Sequence, residues 1–144
     1  MDALNILLVD DDQNLVTTLS YGLRKAMGEA VSVAICFSGS EALSMLATQR
    51  FDVVVSDFHM SGISGLELLN KINQDHREII LVLITAFGTD VFEEEVHRFG
   101  IGYIAKPFEP SHLVQIIDGL IRDAETAKTR DTTENAAHRL IPLS

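Results

Sequence analysis

Short apolar runs alternate with longer stretches of helical spacing five times along this chain. Leu4–Val9, Val31–Phe37, Asp52–Ser56, Ile79–Thr85 and Gly102–Ala105 have strand length and are largely apolar. They show little alternation with polar residues, so each strand is expected to be buried on both faces. Between them, apolar residues recur at helical intervals. Leu15, Leu19, Leu23 and Ala26 mark the first helix; Ala42, Leu43, Leu46 and Ala47 the second; Leu66, Leu69 and Ile72 the third. Val91, Val96 and Phe99 mark a fourth. Leu113, Ile116, Ile117, Leu120 and Ile121 mark a fifth, with near-ideal i, i+3, i+4, i+7 spacing. Asp12, and Ser38 or Ser40, are placed to cap helices, and Pro110 and Ser111 suit a first helical turn. Strand–helix alternation of this kind predicts parallel βαβ crossovers and a (βα)5 domain with helices on both faces.

Composition adds boundaries. The pattern ends near Asp123, so residues 1–123 form the domain. Residues 124–144, rich in Thr, Ala and small polar residues, form a tail that extends the last helix for a turn or two and then frays. Net charge is −10, and the whole excess lies in residues 1–123. Such a surface repels phosphate backbones and argues against direct nucleic-acid binding. Cys36 is the single cysteine, so no internal disulfide forms. Its apolar surroundings predict a small buried hydrophobe in a reducing compartment. Met1-Asp2 lacks the basic start of a signal peptide, and the longest apolar run, Ile79–Phe87, is too short to span a bilayer. A cytoplasmic protein without membrane association is expected.

The chemistry lies at the strand ends. Asp10 and Asp11 follow the first apolar run, Asp57 follows Ser56, and Lys106 follows Ala105. If the strands are parallel, their C-terminal ends gather these residues in one crevice, where open α/β sheets bind ligands. Three crowded acids are costly unless a cation neutralises them, so the cluster predicts a metal. The five histidines are scattered without zinc-site spacing, and Glu93-Glu94-Glu95 reads as a solvated helix face. No Gly-x-Gly-x-x-Gly or Walker motif follows the first strand.

Four motifs in order carry a resemblance: Ile6-Leu7-Leu8-Val9-Asp10-Asp11-Asp12, Val55-Ser56-Asp57-Phe58-His59-Met60-Ser61-Gly62, Leu83-Ile84-Thr85-Ala86 and Tyr103-Ile104-Ala105-Lys106-Pro107-Phe108. Over residues 4–122 the chain resembles the receiver domains of bacterial two-component response regulators. The resemblance implies a flavodoxin-like sheet of order 2-1-3-4-5. It makes Asp57 the phosphoacceptor, with Asp10, Asp11, Asp57 and the backbone carbonyl of His59 around Mg²⁺. Lys106 would pair with the phosphoryl oxygens, Thr85 and Tyr103 would relay the change, and the Lys106–Pro107 bond would be cis. The implied donor is a histidine kinase or phosphotransfer protein, read along Gln13–Gly28. The implied output is a protein target on the fourth helix, fifth strand and fifth helix, about residues 90–122. Such a domain is not an ordinary enzyme, although it catalyses its own phosphorylation and dephosphorylation.

Three positions set this chain apart. The family usually has Pro where Ser61 stands, which puts the stiffness of that loop in question. His59 and Phe87 occupy the positions that tune hydrolysis, and a bulky Phe87 is expected to lengthen the life of the acyl phosphate. Several readings stay open here: a single-domain messenger, a relay intermediate, the receiver of a longer regulator, and a homodimer. From other classes come a flavodoxin-like small-molecule binder and an aspartyl phosphohydrolase. The latter would want an acid two residues past Asp57, where His59 stands.

Overall fold

The computed structural model describes residues 3–86, 94, 96–98 and 100–140, with side chains through residue 127. Five parallel strands form one sheet: β1 (Leu4–Val9), β2 (Val31–Cys36), β3 (Val53–Asp57), β4 (Ile80–Thr85) and β5 (Gly102–Ala105). Their order is β2-β1-β3-β4-β5. This is the flavodoxin-like arrangement that the resemblance implied. The helices are α1 (Gln13–Met27), α2 (Gly39–Thr48), α3 (Gly65–Asp75) and α5 (Pro110–Leu140). Helical backbone at residues 94 and 96–98 belongs to a segment between β4 and β5, labelled α4.

Successive side chains of a strand point to opposite faces, so continuously apolar strands feed two cores. Leu7, Val9, Val54, Leu81 and Leu83 pack with Ala42 and Leu46 of α2, Leu68, Leu69 and Ile72 of α3, and Val96 of α4. Ile6, Leu8, Val53, Val55, Val82, Ile84 and Ile104 pack on the other face with Val16, Leu19 and Leu23 of α1 and Leu113 and Ile117 of α5. The free energy comes chiefly from this two-sided burial of branched aliphatics.

Local signals start and stop the helices. Asp12 caps α1 by accepting from the Leu15 N–H at 3.1 Å. Ser38, rather than Ser40, caps α2 through the Glu41 N–H. Ser64 caps α3 through the Glu67 N–H. Gly28 ends α1 at φ 60°, a backbone state that disfavours side chains.

Three expectations need correction. The buried stripe of α1 is Val16, Leu19, Ser20 and Leu23, whereas Leu15 is half-buried and Ala26 exposed. The true stripe includes a buried serine, which a search for apolar residues passes over. Ala47 of α2 is likewise exposed. Finally, α5 continues to Leu140, well past the turn or two expected after Asp123. Nothing between Gly119 and Pro142 is a strong helix breaker. Of the fourth predicted stripe, Val96 is buried, while Val91 and Phe99 lie outside the described residues. Among the described residues no helix is long and apolar enough to cross a membrane.

Candidate functional site

The strand order places β1 and β3 side by side although β2 separates them in sequence. The chain leaves β1 toward one edge and re-enters on the other side, which opens a crevice at the C-terminal ends. Register then sets the depth of each residue. Val9 is level with Ser56, so Asp10 stands level with Asp57. Asp57 is level with Ile84, one residue before Thr85. Thr85 is level with Ala105, one residue before Lys106. Four strands thus deliver Asp10, Asp57, Thr85 and Lys106 to one rim.

The ends are stitched together by backbone. The Lys106 N–H donates to the Thr85 carbonyl at 2.8 Å, and the Phe58 N–H donates to the Ile84 carbonyl at 2.8 Å. The Lys106–Pro107 peptide is cis, as the resemblance implied. Across the crevice Lys106 Nζ lies 3.0 Å from Asp57 Oδ1. That distance is right for a charge-assisted hydrogen bond.

Asp10 is buried at 5% exposure, between Asp57 and the start of α1. Its backbone N–H reaches the Cys36 carbonyl, and its Oδ1 accepts from the Asp12 N–H at 2.9 Å. Burial pushes its carboxyl up to about 6, and the charges of Asp57 and Asp11 add to that rise. The Asp12 N–H and Lys106 act in the opposite direction. Asp11 is exposed. Its Oδ2 accepts from the Ser61 N–H at 3.1 Å and from Ser61 Oγ at 3.4 Å.

The loop from β3 to α3 forms the other wall. Gly65 opens α3 so close to β3 that a Cβ there would collide with the Asp57 carbonyl oxygen. Ser56 is fully buried and donates to the same carbonyl at 3.0 Å. Gly62 turns the loop at φ 81°. Ile63 packs onto Gly39 so tightly that a Cβ on Gly39 would strike it. The loop is therefore anchored without a proline at position 61. His59 is exposed, its ring edge-on to Phe58 with centroids 4.8 Å apart.

The other residues singled out from sequence divide clearly. Thr85 is buried at the rim, and Tyr103 is half-buried against the core that holds α2 and α3. Asp12 serves as a helix cap. Phe87 lies outside the described residues. Sequence reasoning missed Gly65 and the Ser61–Asp11 contact. Ser61 did stand out, as a departure from the usual proline.

A hard cation fits this donor set. Among the described residues no three His, Cys, Asp or Glu side chains gather closely enough to hold a metal by themselves. Mg²⁺ does not require that, since it uses one or two carboxylates and keeps several waters. The Asp57 and Asp11 charges both raise the buried Asp10 carboxyl, and such an oxygen-only set is one that a dication would neutralise.

Comparison with known proteins identifies the family. Residues 6–118 match the family model described as "Response regulator receiver domain". The transcriptional regulatory protein FixJ of Bradyrhizobium diazoefficiens is 31% identical over 97% of this chain and 68% of that protein. The DNA-binding transcriptional regulator NtrC of Klebsiella pneumoniae is 32% identical over 79% of this chain, but the match spans only 24% of NtrC. The chemotaxis response regulator CheY4 of Vibrio cholerae superposes with TM-score 0.72 at 25% identity, covering 82% of this chain and 98% of CheY4. The fold and the family match converge: this chain belongs to the receiver domains of two-component response regulators.

Proposed function

We propose that this domain is a phosphorylation-operated switch with Asp57 as phosphoacceptor. The observation that carries the reading is the buried Asp57 carboxylate at the end of β3, held at 3.0 Å by Lys106 and flanked by Asp10. An Asp57 carboxylate oxygen attacks phosphorus in a phosphohistidine of a histidine kinase or phosphotransfer protein. The P–N bond breaks, its electron pair returns to the imidazole, and an acyl phosphate forms on Asp57. Attack of one anion on another needs positive charge on both sides. Lys106 supplies it from β5. Asp10, Asp11, Asp57 and the His59 carbonyl would hold Mg²⁺, which would supply charge neutralisation for the phosphoryl oxygens.

The new phosphoryl group then meets Thr85, one strand away, whose hydroxyl donates to it. Tyr103, already half-buried on β5, turns further inward. The readout is a changed protein-binding surface over α4, β5 and the start of α5, about residues 90–122. His59 at the rim, together with Phe87, sets how easily water reaches the acyl phosphate.

Incubation with acetyl phosphate and Mg²⁺, followed by intact-mass measurement, tests the reading. Phosphorylation adds about 80 Da and charge at Asp57. The gain should vanish in Asp57→Asn and in EDTA. No gain with acetyl phosphate or phosphoramidate, or an undiminished gain in Asp57→Asn, rejects it.

A further inference from the structure

Ser61 stands on the loop between β3 and α3, 50 residues from Asp11, yet both of its donors converge on Asp11 Oδ2. A proline at this position would have neither an N–H nor a hydroxyl. We propose that Ser61 is a positioning residue for the metal site: it fixes the exposed Asp11 carboxylate before the ion arrives. The inference rests on the proposed Mg²⁺ site.

Three features support it. First, Asp11 lacks other restraint. It is exposed on the loop after β1, and Ser61 provides its only side-chain hydrogen-bond donors among the described residues. An exposed aspartate is otherwise free to sample rotamers, and binding a cation would have to suppress that freedom. Second, Ser61 is itself well anchored. The Gly65 N–H donates to the Phe58 carbonyl at 3.0 Å, the Phe58 N–H is tied to β4, and Ile63 is wedged against Gly39. Third, the restraint is one-sided. Ser61 occupies Oδ2, and among the described residues none donates to Oδ1, which suits a monodentate carboxylate ligand. Hydrogen-bonded outer partners of this kind commonly change metal affinity 10- to 100-fold.

The same loop carries the His59 carbonyl, two residues before Ser61. Ser61 therefore couples two prospective ligands: it holds Asp11 to the segment that presents His59. Where the usual proline stiffens this loop through its ring, this chain stiffens it through a contact that also orients a ligand.

Direct titration of the whole protein with Mg²⁺ by calorimetry, without phosphodonor, is the test. Ser61→Ala keeps the N–H and should weaken binding about two- to threefold; Ser61→Pro loses both donors and should weaken it about tenfold. Ser61→Thr keeps both and should match the wild type. On an Asp11→Ala background, Ser61→Pro should have little further effect, because the contact through which Ser61 acts is gone. Circular dichroism melts identify any variant that fails to fold, and the alanine and threonine variants then carry the comparison. Wild-type affinity in both Ser61→Ala and Ser61→Pro, tighter binding, or an equal loss on the Asp11→Ala background overturns the inference. Failure of the wild type to bind Mg²⁺, or indifference to Asp11→Ala, overturns the metal-site reading itself.

Discussion

Lys106 Nζ sits 3.0 Å from Asp57 Oδ1, and the lysine is the more exposed partner, at 29% against 9% for the aspartate side chain. Removing the lysine strands a buried charge; removing both partners does not. Exposure of the ammonium screens the pair, so its coupling belongs below that of a fully buried bridge. A double-mutant cycle of Lys106→Met and Asp57→Asn, read by urea denaturation in EDTA, should give a favourable coupling of about 1–2 kcal/mol. A coupling near zero would show that the contact contributes nothing before phosphorylation.

Asp10 predicts a pH dependence of the metal-free protein. Its folded carboxyl is raised to about 6 from 3.8, chiefly by burial. The native state therefore holds an extra proton between about pH 4 and 6, and stability falls as pH rises through that window. Above it the full cost of the buried charge remains, at most roughly 3 kcal/mol. Asp10→Asn should stabilise the protein by about 1–3 kcal/mol at pH 7.5 in EDTA and lose most of that advantage at pH 4. Urea midpoints across that range check it; an advantage independent of pH contradicts it. If Asp10 helps hold the proposed Mg²⁺, the same substitution should also weaken binding of that ion.

Much of this was legible in the sequence because strand, helix and site are each encoded by local pattern. Leu4–Val9 and Gly102–Ala105 match the observed strands residue for residue, since apolar runs flanked by acids or turns have few alternatives. Asp10, Asp57, Thr85 and Lys106 meet because each ends or follows a parallel strand, and topology does the rest. What stayed hidden depends on tertiary contact. The buried Ser20 contradicts its own polarity, and the Ser61–Asp11 contact joins two loops that no spacing rule connects. Gly65 looks like an ordinary loop glycine until the Asp57 carbonyl is seen against it.

That glycine gives a sharp comparison. A methyl at Gly65 meets backbone, which cannot rotate away, whereas a Cβ at Gly119 on α5 has nothing within 4 Å. Gly65→Ala should therefore cost more than about 2 kcal/mol and disturb the Asp57 loop. Gly119→Ala should gain up to about 1 kcal/mol from helix propensity. Denaturation midpoints moving in the same direction for both would contradict this assignment.

Cys36 offers a probe of the whole domain. The residue is 1% exposed, and burial, followed by the Glu41 charge, pushes its thiol up to about 11. Thiolate is the reactive form, so the native protein should label very slowly with iodoacetamide at pH 8. The Cys36 carbonyl accepts the Asp10 N–H at 3.2 Å, so opening the end of β2 breaks a backbone contact with the acid cluster. An ion that binds only the native state lowers the open population by the factor 1 + [Mg²⁺]/Kd. Labelling should therefore slow by that factor as Mg²⁺ is added, and Asp11→Ala should remove most of the protection. If intact-mass time courses show labelling that ignores Mg²⁺ in a protein shown to bind it, Cys36 reacts through a local opening of β2 that leaves the acid cluster intact.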